Sequence, residues 1–129
     1  MDKLDKDSVI GISALLVHAA KIDEIYSDHE KNLIKDFIKS YLKDEEASEI
    51  LKKAEEVENN SNQLLNYTNI IKEKSIEIKK DIIEHLWKVI ISDNAIDQYE
   101  SNLMRRICGL IYFPDKECAE IKLKLMKLK

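Results

Sequence analysis

Apolar residues recur along most of the chain at helical spacing, in stripes of two different widths. The first stripe follows Ser8, a residue type that favours the start of a helix, and runs to about Lys21. Its apolar residues cover much of the helix circumference, which is typical of a helix at the centre of a bundle. A second helix of the same kind is predicted over 76–91.

The remaining segments have one apolar face each, which predicts helices that lie at the surface. Ser27 is followed three residues later by Glu30, and this spacing predicts a capping box at the start of a helix. The segment 44–59 is rich in charge and predicts an exposed helix with a narrow buried edge, which includes Val57. Further helices are predicted over 63–72, after Asp97, and after Pro114, the last with Met126 on its inner face. The pattern therefore predicts an all-α compact bundle of about seven helices.

Two helix-loop-helix units, at about 8–43 and 76–112, match each other at a constant offset. The matching pairs include apolar, loop and cap positions: Ile12 with Ile82, Leu16 with Leu86, Asp23 with Asp93, Ser27 with Asp97, Glu30 with Glu100, and Leu33 with Leu103. Because apolar rhythm, loop length and cap chemistry agree together, we predict an internally duplicated helix-loop-helix unit. A pseudo-twofold arrangement would place the two acidic loops in equivalent positions.

Length and composition support this interpretation. The 129 residues suit a single domain, predicted over 1–129, and a chain of this size needs no disulfide or metal merely to fold. Glycine occurs twice and proline once, which is too few for the turns of a strand-rich domain. Cys108 and Cys118 form no CxxC or zinc pattern, so we expect them to be core residues of a reduced, cytoplasmic protein.

Charge and hydropathy exclude several classes of partner. The net charge of -4 argues against a nucleic-acid partner, and the lysines of the last helix are typical of a solvated helix end. The apolar stretch 9–20 is too short to cross a bilayer, so no membrane insertion is expected. The residues before it lack the positive charge of a secretion signal, which also favours a cytoplasmic location.

The segments 19–30 and 86–100 resemble the repeated motif of the TerB-like family, which includes tellurite-resistance proteins and a domain of DjlA-type co-chaperones. In that motif a small or apolar run precedes Asp-Gly, a short spacer, a cap residue and a late Glu. The second segment is the more similar of the two. Glu24 and Asn94 stand where the family has Gly, and Asn tolerates a left-handed backbone better than Glu does.

The resemblance implies an all-helical duplicated fold and a divalent-metal site formed by the acids of the motif. Carried over to this chain, these acids are Asp23, Glu30, Asp93 and Glu100. Oxygen ligands of this kind suit a hard cation of the Ca²⁺ or Mg²⁺ class. The alternative is that the same acids only cap helices and close turns.

Catalytic motifs are missing from the sequence. It has no Gly-rich phosphate loop, no GxSxG, no HExxH and no Glu-x-x-His pair, so no small-molecule substrate is indicated. Asp81 and His85 stand one helical turn apart and are expected to form an exposed contact. The sequence therefore predicts a non-enzymatic binding domain, in a stress-response or co-chaperone setting, with a protein partner of unknown identity. The alternative is a protein-protein interaction module that binds no metal.

Overall fold

The computed structural model describes residues 4–21, 26–60, 65–91 and 98–127, and in these ranges the chain is helical with no strand. The α-helices are α1 Lys6–Ala20, α2 Asp28–Tyr41, α3 Ala47–Asn59, α4 Leu65–Lys72, α5 Ile76–Ile91, α6 Gln98–Leu110 and α7 Asp115–Lys127. A short 3-10 turn, Asp44–Glu46, leads into α3. The predicted all-α bundle of about seven helices is confirmed, whereas the internal duplication stays a prediction.

The first helix begins earlier than the sequence predicted. Asp5 is its N-cap, and a side-chain oxygen of Asp5 accepts a hydrogen bond from the backbone N–H of Ser8 at 2.8 Å. The assignment of Ser8 as the cap was therefore wrong, because Asp caps as well as Ser. The earlier start also places Leu4 one residue before the N-cap. A hydrophobic residue at this position commonly packs against the fourth residue of the helix, which here is Val9. Both Leu4 and Val9 are buried.

Helices α1 and α5 form the centre of the core, as their wide apolar stripes predicted. α1 packs against α2, α3, α4 and α5, while α5 packs against α1, α2 and α7. Both helices are buried along most of their length. The outer helices each contribute a narrower set of core side chains, such as Ile34, Phe37 and Ile38 from α2 and Met104, Ile107 and Cys108 from α6.

Two apolar residues that the sequence placed on inner faces are exposed instead. Val57 is 39% exposed and Met126 is 47% exposed. In α3 the buried residues are Ala47, Ile50, Leu51 and Ala54, and the helical repeat places position 58 nearer the centre of this stripe than position 57. In α7 the inner face passes through Cys118, Ile121 and Leu125, and the next residue turns away from it.

Side-chain contacts fix the relative directions of the helices around the core. Lys6 bonds Glu46 at the start of α1, and His18 contacts Glu58 near its end, so α1 and α3 run in the same direction. Tyr41 bonds Asp81, and the ring of Phe37 lies 5.2 Å from that of His85, so α2 and α5 run in opposite directions.

These directions bring the C-terminal end of α3, where Glu58 bonds Lys21, and three further helix ends to one end of the bundle. The N-terminal end of α2 and the C-terminal end of α5 point the same way, because the two helices are antiparallel. The C-terminal end of α1 joins them, since the Lys21 ammonium lies 5.9 Å from the centre of the Tyr26 ring, just before α2. We call this the loop end of the bundle and define it by Lys21, Ser27 and Ile91.

Candidate functional site at the loop end

Of the four predicted metal ligands, the structure describes the side chain of one. Glu30 lies in the first turn of α2, at the loop end. Asp23 and Asp93 lie outside the described residues, and Glu100 belongs to α6 but its side chain also lies outside the description. The structure therefore reports on the role of Glu30, and the grouping of the four acids stays a prediction.

Glu30 forms the capping box that the sequence predicted. Its Oε1 accepts hydrogen bonds from the backbone N–H of Ser27 at 2.9 Å and from the Ser27 hydroxyl at 3.2 Å. In return, the backbone N–H of Glu30 donates to Ser27 Oγ at 3.2 Å. The side chain is 4% exposed, which is unusual for a carboxylate and means that the box is held inside the fold. The matching box at Asp97 and Glu100 lies outside the described residues.

Capping alone does not exclude cation binding by this carboxylate. An ionised carboxylate offers about four lone-pair positions, and Ser27 donates two hydrogen bonds to Oε1. The position at the start of α2 also favours a negative charge through the helix dipole. Glu30 is therefore a pre-positioned anionic group whose charge is stabilised by its own helix.

Tyr26 links the start of α2 to α3. Its hydroxyl donates a hydrogen bond to Glu55 Oε2 at 2.6 Å. Burial raises the pKa of Tyr26 above its ordinary range, and the bond to Glu55 and the nearby charges of Glu30 and Glu58 add to this. The Lys31 ammonium lies 5.0 Å from the centre of the Tyr26 ring and balances part of the negative charge.

A third carboxylate, Glu58, lies where α3 ends. Its side chain is 12% exposed, and it accepts a bond from Lys21 Nζ at 2.8 Å. His18 Nδ1 lies 3.3 Å from its other oxygen. Sequence reasoning missed both Glu55 and Glu58, because it treated the charged stretch as a solvated face. The available signal was the helical repeat, which carries the buried edge of α3 to position 58.

The described carboxylates of the loop end do not form a metal site by themselves. Within residues 4–21, 26–60, 65–91 and 98–127, no three His, Cys, Asp or Glu side chains come together as possible metal ligands. Glu55 and Glu58 are engaged by Tyr26, Lys21 and His18. A hard cation needs about six oxygen ligands, so a site here would have to draw on Asp23, Asp93 or Glu100 as well as Glu30.

The pair formed by Asp81 and His85 was expected to be exposed, and this was wrong. Its members are partly buried between α2 and α5, with side-chain exposures of 33% and 12%. His85 Nδ1 lies 2.9 Å from the backbone oxygen of Asp81, so this nitrogen carries a proton, and it lies 3.4 Å from Oδ1. Packing of α2 against α5 covers the pair, which a single-helix pattern could not show. Asp81 and His85 also contact Tyr41 and Phe37 of α2, so the pair links α5 to α2.

Fold and sequence together define the class of protein. Residues 10–123 match the model of the family described as tellurite resistance protein TerB. The chain therefore belongs to the TerB family, as its two acidic motifs had indicated. Searches of curated proteins and of solved structures gave no match. None of the described helices combines the length and the apolar character needed to cross a bilayer.

Proposed function

We propose that this chain is a non-catalytic binding domain whose loop end holds a divalent cation of the Ca²⁺ or Mg²⁺ class. Asp23, Glu30, Asp93 and Glu100 would supply the carboxylates. Membership of the TerB family supports a binding role rather than an enzymatic one. The setting we propose is a stress response or a co-chaperone complex, in which the domain contacts a protein partner.

The antiparallel arrangement of α2 and α5 is the observation that carries this proposal. Ile91 lies about 15 Å beyond Asp81 along α5, and Ser27 lies about 21 Å from Tyr41 along α2, at 1.5 Å per residue. Since Tyr41 and Asp81 are bonded to each other and the helices are antiparallel, both segments run from this bond towards the same end of the bundle. The residues that flank 22–25 and 92–97 therefore share one end, as a cation shared by both acidic loops requires.

A second candidate function is a protein-protein interaction module that binds no metal. The observation in its favour is the complete capping box of Glu30, which accounts for the position of this acid without a cation. Acids in the first turn of a helix stabilise it by about 0.3–1 kcal/mol through the helix dipole. In this interpretation the loop-end acids support helix starts, and the partner binds elsewhere on the surface.

Thermal unfolding of EDTA-treated protein separates the two functions. Ca²⁺, Mg²⁺, Mn²⁺ and Zn²⁺ are added one at a time, and a ligand at about 100 times its Kd should add about 2.7 kcal/mol to the free energy of unfolding. For a domain of this size, that is a rise in Tm of several degrees. The cation proposal requires such a rise with at least one hard cation.

Three variants and a control assign the rise to residues. Asp23→Asn and Asp93→Asn should abolish it, and Glu30→Gln should weaken it while keeping the cap, because Gln also serves in a capping box. Asp28→Asn removes an exposed charge from the same helix start and should leave the rise intact. If no cation shifts the wild-type Tm, the cation proposal fails and the interaction module takes its place.

A further inference from the structure

A narrow groove lies between α5 and α7, and none of the loop-end residues lines it. Its volume is about 160 Å³, and its floor is formed by the buried Ile121 and the half-buried Leu125. The charged residues that line it are Lys80, Glu84, Glu117, Glu120 and Lys124. Pockets for small-molecule ligands usually measure about 300–1,000 Å³. The groove therefore suits the side chains of another protein surface better than a cofactor or a substrate.

The two helices run in opposite directions along this groove. The indole N–H of Trp87 on α5 donates a hydrogen bond to Cys118 Sγ on α7 at 3.3 Å, which fixes one level of the contact. From that level, the groove follows α5 back to Lys80 and follows α7 forward to Lys124. Positions along the two helices can therefore be compared, at about 1.5 Å per residue.

The charges are sorted by sign along the groove. Measured from the level of the indole bond, Glu120 lies about 3 Å along the groove and Glu84 about 4.5 Å along it. Lys124 lies about 9 Å along the groove and Lys80 about 10.5 Å along it. Glu117 stands at the level of the indole bond itself. One end of the groove is therefore acidic and the other end is basic.

Within the part of the chain that the structure describes, these five side chains form no ion pair or hydrogen bond. This holds even though Lys80 and Glu84 stand one helical turn apart, as do Glu120 and Lys124. Glu84 is half-buried, and the other four residues are exposed. A second molecule can therefore pair with these charges without breaking ion pairs among the described residues.

We propose that the groove is a self-association site, at which a second copy of the chain docks through a twofold axis. Such an axis reverses the direction of the groove in the second copy, so each acidic end meets a basic end. An axis about 6 Å along the groove sets Glu120 of each copy opposite Lys124 of the other, and Glu84 near the level of Lys80. The stems of the lysines then cover the apolar floor. The proposal uses no loop-end residue and does not depend on the cation site.

Sedimentation equilibrium of the full chain in EDTA tests the proposal. The contact is small and polar, which predicts a weak dimer, so the concentrations run from about 10 μM to about 1 mM. We expect the apparent mass to rise with concentration from the 15.0 kDa of one chain to twice that mass. Added salt should weaken the association, because the paired charges lie at the surface. A mass that stays at one chain, or that grows past two chains, overturns the proposal.

Charge reversals assign the contact to the groove. Glu120→Lys and Lys124→Glu should each raise the Kd of the dimer by at least about tenfold, because each reversal sets like charges opposite one another twice. The double variant restores opposite charges, so its Kd should return towards the wild-type value. Glu56→Lys and Lys52→Glu make the same changes of charge on the exposed side of α3 and should leave the Kd unchanged.

Circular dichroism checks that every variant is folded. The proposal is overturned if the groove reversals act like the α3 reversals, or if the double variant dimerises as weakly as the single variants do.

Discussion

The hydroxyl oxygen of Tyr41 lies 2.6 Å from Oδ2 of Asp81, so a short hydrogen bond joins the last turn of α2 to the first half of α5. This bond connects the two predicted repeat units across their interface. With the ring contact between Phe37 and His85, it fixes the antiparallel direction of the two helices. The shared position of the helix ends at the loop end follows from that direction.

Replacing Tyr41 by Phe should lower the free energy of unfolding by about 1–2 kcal/mol. The change removes a hydrogen bond to a charged acceptor that is partly buried, and such bonds contribute about 1.5–3 kcal/mol when fully shielded from water. Urea unfolding followed by circular dichroism measures the difference. Tyr112→Phe is the control, because Tyr112 is 69% exposed and should tolerate loss of its hydroxyl. If both variants lost the same free energy of unfolding, the hydrogen bond from Tyr41 to Asp81 would not explain the loss.

The contribution of Tyr41 should also depend on pH. Burial alone would raise the pKa of Asp81, but hydrogen bonds from His85 and Tyr41 outweigh it and hold the pKa below the ordinary 3.8. A lowered pKa in the folded state means that Asp81 stabilises the fold fully above the unfolded-state pKa and loses this effect as pH falls through the folded-state pKa. The stability difference between wild type and Tyr41→Phe should therefore be constant near neutral pH and shrink below about pH 4. Urea unfolding at pH 7 and pH 3 measures it, and a difference that grew on acidification would contradict this sign.

Tyr112→Gly should stabilise the protein by about 0.5–1 kcal/mol. Tyr112 has a φ of 60°, a left-handed conformation that suits Gly, and it ends α6 with two bonds of the Schellman type. These bonds run from Phe113 N–H to Cys108 O at 2.8 Å and from Tyr112 N–H to Gly109 O at 3.4 Å. The gain is reduced by loss of the contact between the ring and Lys72. Thermal unfolding measures it, and Tyr112→Ala, which keeps the backbone strain and loses the ring, should show no gain.

The two glycines should respond differently to alanine. A Cβ at Gly109 would meet nothing within 4 Å, so Gly109→Ala should raise the free energy of unfolding by about 0.5–1 kcal/mol through helix propensity. A Cβ at Gly11 would overlap Cδ1 of Ile70, where α1 and α4 approach closely, so Gly11→Ala should gain less or destabilise. Adding Ile70→Val removes that methyl group and should make Gly11→Ala more favourable. A double-mutant cycle that showed no coupling would exclude the clash.

The sequence predicted the architecture because helical periodicity and caps are local signals. The span of α5 and the capping box of Ser27 and Glu30 were read directly from spacing. At the start of α1, Asp5 and Ser8 are both good caps, and burial of Leu4 decides between them. That burial is a tertiary effect, so the choice could not be made from one helix alone.

The polar contacts of the loop end were less predictable for the same reason. Tyr26 reaches Glu55 and His18 reaches Glu58, and these partners come from helices far apart in the sequence. Charged residues in a strongly charged stretch look solvated until the neighbouring helix is in place. For the predicted ligands Asp23, Asp93 and Glu100, the direct test is a measurement of cation binding.

Equilibrium dialysis of EDTA-treated protein against Ca²⁺, and separately against Mg²⁺, counts the bound ions directly. A site shared by both acidic loops predicts one ion per chain, lost in Asp23→Asn and in Asp93→Asn and retained in Asp28→Asn. If neither cation is retained by the folded wild type, or if each loop variant still binds as the wild type does, the shared cation site does not exist.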